Sequence, residues 1–147
     1  MHSSIIYPMN LVNFISTFHK IPIDYDKAHG YQCVDLFRLY CEKVLNYKQP
    51  ESVAGAREFW TNYDQMPILK TYFDRVQEGT TGDFIVYGAA KNNPYGHIAL
   101  VIGGVNQTAI LFEQDGFTQK GAQIAFRSLE GALGFLRPKV YRDITAI

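Results

Sequence analysis

Over the first fifty positions the apolar residues recur with a helical period. Leu11, Phe14, Ile15 and Phe18 stand at i, i+3, i+4 and i+7 behind Asn10, a favourable N-cap, and predict a helix that Pro22 stops. Residues 23–32 are polar, acidic and glycine-bearing, and predict a loop. From Cys33 the helical period returns. Val34, Phe37, Cys41, Val44 and Leu45 share one face, Arg38, Glu42 and Lys43 lie away from it, and Pro50 follows its end. The pattern is weaker in residues 51–76, where 54–60 fits a short helix and 68–76 a further stretch before Gly79.

The second half changes period. Phe84–Tyr87 is a β-rich run between Gly82 and Gly88, His97–Val105 is another, residues 109–114 a third and 124–126 a fourth. Residues 134–141 close the sheet, with Pro138 favouring an edge position. Helices followed by a meander of strands predict an α+β fold in which N-terminal helices pack on an antiparallel sheet. No repeat, low-complexity tract or linker interrupts the 147 residues, which fit a single domain, 1–147.

Composition narrows the function classes. Fourteen basic and 14 acidic residues give zero formal charge, without the basic excess that phosphate neutralisation requires, so nucleic acid is not an expected partner. Aromatic residues make up 14%, a load that suits a groove with aromatic walls and equally an aromatic core. The first ten residues contain no Lys or Arg and are broken by Pro8, which predicts neither a signal peptide nor a membrane span. The two cysteines, Cys33 and Cys41, fall on one predicted helix. Eight residues of helix rise about 12 Å, whereas bridged Cα atoms lie within ~7 Å, so the two do not pair.

Three residues could carry chemistry. Cys33 sits where the acidic loop becomes a helix, and the unpaired N–H groups and partial positive charge of a helix start suit a sulfur nucleophile and the oxyanion it would create. Cys41, two turns on and on the apolar face, reads as a small hydrophobe. His97 opens an apolar strand after the turn-rich Asn92-Asn93-Pro94-Tyr95-Gly96, a place from which it could move a proton. Glu113 alternates within its strand, sharing a face with Leu111 and Asp115, and could hold a histidine on a neighbouring strand. Together they have the types needed for nucleophile, base and orienter. The residues alone also allow a plainer account: Cys33 a structural thiol, His97 a polar strand end, Glu113 an acid on a solvated face.

Four segments resemble one family. Gly30-Tyr31-Gln32-Cys33-Val34-Asp35-Leu36 resembles the G-x-Q-C-x-D-L signature at the nucleophile of CHAP domains, the cysteine/histidine-dependent amidohydrolase/peptidases. Gly82-Asp83-Phe84-Ile85-Val86-Tyr87 is similar to that family's G-D strand, Tyr95-Gly96-His97-Ile98-Ala99 to its histidine strand, and Phe112-Glu113-Gln114-Asp115 to its E-Q-N strand. Order and spacing agree across residues 20–140. The resemblance implies a papain-like fold of the NlpC/P60 type, with Cys33 as nucleophile, His97 as base and then acid, and Glu113 orienting His97. Asp115 stands where the family has Asn; an ionised Asp cannot donate a hydrogen bond, so it either holds a charge near His97 or takes no part.

The implied activity is hydrolysis of a peptidoglycan amide, either the N-acetylmuramoyl–L-alanine link or a stem or cross-bridge peptide bond, as in phage endolysins. The expected partner is bacterial peptidoglycan, and the expected state is a monomer without membrane insertion. The chain would be made in the bacterial cytoplasm and reach the wall through holin-type release or within a phage particle. A catalytically inactive wall-binding or phage structural module, and a cysteine amidase of the same fold with another substrate, remain as alternatives. The resemblance further implies a structural Ca²⁺ held by Asp24, Asp26 and Asp35, with main-chain oxygens of Ala28 and Gly30, and no organic cofactor. Read without the family, Asp24 and Asp26 are ordinary loop acids and Asp35 a first-turn residue placed for the helix dipole.

Overall fold

The structure is a computed structural model that describes residues 9–27, 30, 32–118 and 120–139. The N-terminal residues 1–8, Ala28 and the last two positions of the 134–141 segment, on which sequence expectations fell, lie outside the described residues. Helix α1 (Leu11–Phe18) starts at Asn10, whose side chain accepts the Asn13 N–H at 2.7 Å, and it buries Leu11 and Phe14. Helix α2 (Cys33–Tyr40) buries Leu36, Phe37 and Tyr40, and it runs on as a π turn, Cys41–Leu45, that ends at left-handed Asn46. Both helices bury the faces that the 3.6 period selects.

The middle of the chain departs from its pattern. Helix α3 (Glu58–Thr61) is shorter than the expected 54–60. Gly55 turns instead against the backbone of Tyr95, where an added Cβ would stand 2.8 Å from the Tyr95 carbonyl oxygen, and Arg57 N–H donates to that oxygen at 3.0 Å. After a 3₁₀ turn at Tyr63–Gln65, helix α4 (Pro67–Tyr72) starts with Pro in its first turn, and the Glu51 carboxylate accepts the Ile68 and Leu69 N–H groups at 2.7 and 3.0 Å. The 68–76 stretch then divides. Tyr72 ends the helix, and β1 (Phe73–Val76) is drawn into a ladder by a distant partner, a tertiary choice that local pattern does not encode.

The remaining strands are β2 (Phe84–Tyr87), β3 (His97–Val105), β4 (Thr108–Gln114), β5 (Ala122–Ser128) and β6 (Ala132–Pro138). They form one sheet in the order β1-β6-β2-β3-β4-β5, every neighbouring pair antiparallel. The fold is therefore α+β, with N-terminal helices packed on an antiparallel sheet. The edge position expected for Pro138 is corrected: β6 lies between β1 and β2. Pro138 is its last residue, opposite Phe73, where the donor it lacks is not needed, and Lys139 N–H takes up the pairing with Tyr72 O at 2.8 Å.

This sheet must curl. Only residues 129–131 link β5 to β6, although the two strands stand four places apart in the sheet. In a flat sheet that separation is roughly 19 Å, while the chain from Ser128 to Ala132 spans at most about 14 Å. The curl brings the Tyr87 hydroxyl on β2 to within 2.9 Å of the Ser128 carbonyl oxygen at the end of β5, past the two strands between them. It also explains a second apolar cluster, Ile85, Ala99, Val101, Ala109, Leu111 and Phe135, whose members all come from strands and which the sheet buries by closing on itself. The main core lies on the other face, between sheet and helices. At its centre the Phe37 ring meets Phe84, Phe59 and Phe73 at 4.8, 5.0 and 5.6 Å between centroids.

Candidate active site

Cys33 is the first residue of α2, and α2 packs on β3 and β4. Two anchors hold the loop that delivers it. The Asp35 carboxylate accepts the Gln32 N–H at 2.9 Å and the Tyr25 N–H at 3.2 Å. The fully buried Gln114 amide takes the Ile23 N–H at 2.7 Å and donates to the carbonyl oxygens of Ile23 and Gln32 at 2.7 and 2.9 Å. Both ends of the loop are thus tied to the last residue of β4.

His97 opens β3 and Glu113 stands next to last in β4, at the same end of two adjacent antiparallel strands. One step beyond the Leu100–Phe112 pair, Glu113 comes level with Ala99, so His97 is its diagonal neighbour on one face. His97 Nε2 lies 3.1 Å from Glu113 Oε1, and the Cys33 side chain is near enough to act on the histidine's proton. The glycine before His97 is required by space: Gly96 has φ +76°, and an added Cβ would collide with the Tyr87 carbonyl oxygen.

A fourth residue, absent from the sequence reading, completes this group. Arg127 on β5 donates from Nε and from its terminal nitrogen to the two Glu113 oxygens, each at 2.7 Å. Its only sequence signal is the β5 alternation that places it with Gln123 and Ala125 on the less exposed side. Gln114 was visible within the E-Q motif, but its anchoring role appears only once the loop is folded back.

The electrostatics agree from both sides. Burial alone would drive the proton from His97, but the hydrogen bonds to Cys33 and Glu113 and their charges outweigh it and raise its pKa to about 9. For Glu113 burial favours the neutral acid, yet the hydrogen bonds and charges of His97 and Arg127 prevail and hold it at about 2. The stability these groups contribute has a defined pH window. Glu113, depressed from 4.5, contributes above its unfolded value and loses that as pH falls through about 2. His97, raised from 6.5, contributes fully below its unfolded value and loses that as pH rises through about 9. We expect the urea midpoint to decline on both sides of the 4.5–6.5 interval. Glu113→Gln should flatten the acid limb and His97→Gln the alkaline one; limbs identical to wild type in both variants would contradict the coupling.

These groups open into a groove of about 590 Å³ whose walls include Cys33, His97, Tyr95, Phe117, Asp115 and Asp26. Tyr95 and Phe117 are exposed, 57% and 65%, and give the groove aromatic walls, while other aromatic residues fill the core. Asp115 lies just past β4, and its carboxylate accepts the Phe117 N–H at 2.8 Å, shaping that wall, while His97 Nε2 goes to Glu113. At one wall of the groove, Asp24, Asp26 and Asp35 each bring a carboxylate oxygen within 4.8 Å of the others. Asp24 Oδ1 is buried without a partner, and burial with the Asp26 and Asp24 charges raises Asp35 above the usual carboxylate range. Close carboxylates with an orphaned buried oxygen fit a hard, oxygen-seeking cation. Gly30 lies in the same loop with φ +75°, and Ala28 lies outside the described residues. Among the described residues no helix is long and apolar enough to cross a membrane.

No protein-family model and no curated protein matches the chain. Solved structures do. The wild-type endolysin LysIME-EF1 superposes with a TM-score of 0.64 at 18% identity, over 88% of this chain and 64% of that one. Ly7917 with the hydrolyzing product of MDP gives 0.62 at 15% identity, and Ly7917 by itself 0.62 at 13%, each over 86% of this chain and 60% of the other. The chain thus spans somewhat under two thirds of the length of these structures. At such identities the likeness is one of fold, and the α+β architecture described above, N-terminal helices on an antiparallel sheet, is what the chain shares with these solved proteins.

Proposed function

We propose that this chain is a peptidoglycan hydrolase of the CHAP type that cuts a wall amide through a cysteine nucleophile. The observation that carries the reading is that Cys33 and His97 line one open groove, with the buried Glu113 hydrogen-bonded to His97 behind it. Its order is that of nucleophile, base and orienter. The fold likeness to endolysins supports a wall substrate.

In this reading Cys33 Sγ attacks the carbonyl carbon, its proton having passed to His97 Nδ1. An N–H group at the start of α2, such as that of Cys33 itself, stabilises the oxyanion. The imidazolium then gives its proton to the leaving amine, and a thioester remains on Cys33. His97 draws a proton from water, the hydroxide displaces sulfur, and the acid product leaves. Glu113 keeps the imidazole ring aimed throughout. Tyr95 and Phe117 would flank the sugar or peptide on either side of the cut bond.

Incubating purified Gram-positive sacculi with the protein, before and after thiol blocking by iodoacetamide, tests this reading by mass spectrometry of released fragments. Fragments from the unblocked protein alone are expected, and their new termini would name the bond. Silence across several wall chemistries would defeat it.

Asp24, Asp26 and Asp35 would hold Ca²⁺, which supplies charge to draw three carboxylates together and so braces the loop before Cys33. It takes no part in the bond-breaking steps. We expect Ca²⁺ added to EDTA-treated protein to raise the melting temperature by roughly 5–10 °C at saturating metal, and Asp24→Asn to remove most of that rise. A melting curve indifferent to both EDTA and Ca²⁺ would argue for plain loop acids.

A further inference from the structure

We infer that Arg127 is a positioning residue of this site, a guanidinium fork that fixes the Glu113 carboxylate from behind so that Glu113 can fix His97. The inference rests on the proposed chemistry for its activity readout, but its geometry stands independently. Glu113 is 2% exposed, and its carboxylate meets two partners: His97 Nε2 at Oε1, and the Arg127 fork at both oxygens. One histidine at 3.1 Å leaves a carboxylate free to turn about its last torsion. A fork bound to both oxygens sets its plane, and a guanidinium is never deprotonated in this setting. Glu113 therefore stays an acceptor only, which requires His97 Nε2 to carry the proton and directs Nδ1 to Cys33.

The β4–β5 register makes the reach possible. Arg127 pairs with Ala109 in the ladder, four residues along β4 from Glu113, and its side chain returns along the face past Ala125, which pairs with Leu111. A larger residue at 125 would stand in the way. The Tyr87 hydroxyl bonded to the Ser128 carbonyl oxygen holds the neighbouring backbone at this corner. The ionisable groups facing the cluster are Cys33 from α2, Tyr87 from β2, Asp115 after β4 and Arg127 itself. Among them Arg127 supplies the one fixed positive charge.

The test compares Arg127→Gln and Arg127→Lys with wild type on soluble wall fragments, alongside ¹⁵N-histidine NMR of the His97 ring. Arg127→Gln should lower kcat about 10–100-fold with little change in KM, the size seen when residues that orient a reactive group are removed. Guanidinium ion should restore part of the loss. Lys, bringing charge without the fork, should fall between the two. The hydrogen-bonded Nε2–H signal of His97 should weaken or move in Arg127→Gln. Combining it with Glu113→Gln should cost little more than Glu113→Gln alone, since the two act as a unit. A normal kcat with an unmoved His97 signal would overturn the inference, as would a loss that neither Lys nor guanidinium relieves. If wild type cuts no wall, the proposed function fails, and the NMR comparison still decides the role of Arg127.

Discussion

Cys33→Ala should reduce wall hydrolysis by about 10³-fold or more while leaving the melting temperature within a degree or two. The reason for so large an effect is that, in the proposed mechanism, the Cys33 sulfur carries the covalent intermediate. Without sulfur, His97 and the helix N–H groups could only polarise the substrate and align a water. The reason for so small a structural cost is that Cys33 is only partly buried, at the first position of α2, while the core-facing work of that helix falls to Leu36, Phe37 and Tyr40. Turbidity clearance and fragment yield measure the first arm, thermal denaturation the second. Hydrolysis that survived the substitution would move the chemistry to another residue. Activity and fold lost together would make Cys33 a structural thiol.

Phe37→Ala should have the largest effect on stability, about 3–5 kcal/mol, the range for emptying a buried phenylalanine site. The ring is fully buried and touches Phe59 of α3, Phe73 of β1 and Phe84 of β2, so its removal opens a void where three elements meet. None of these partners lies in a loop free to close over the gap. In a domain of this size the melting temperature should fall by about 10 °C. Hydrolysis should suffer as well, because Phe37 is one turn from Cys33 and seats the helix on the sheet. Equilibrium urea unfolding would measure this, and a loss below 1 kcal/mol would mean that the aromatic cluster repacks.

Much of the site was legible because its residues are chemically unusual for their places. A cysteine at a helix start, a histidine at a strand mouth behind a glycine, and an acid within an apolar strand each conflict with simple burial patterns. The periods of α1 and α2 were equally plain, since Asn10 and Pro22 bracket the first and a run of apolar positions marks the second. What was not legible depends on register. Arg127 looks like one polar residue among several on β5, and becomes significant only when the β4–β5 pairing lays it beside Glu113. Phe73–Val76 became a strand because β6 pairs with it, and Pro138 could sit inside the sheet because it ends its strand. These outcomes belong to long-range pairing, which no local window contains.

The contrast between the two cysteines gives the protein a built-in gauge. Cys41 is fully buried, and burial pushes its thiol far above the range in which it reacts at neutral pH, whereas Cys33 lies open to the groove. A thiol reagent should therefore count one group per folded chain and two per unfolded chain. Stoichiometric labelling of native protein would place a fluorophore or crosslinker at a single known point, the floor of the groove. The same count, taken during urea unfolding, would report the opening of α2 from the sheet without any engineered probe.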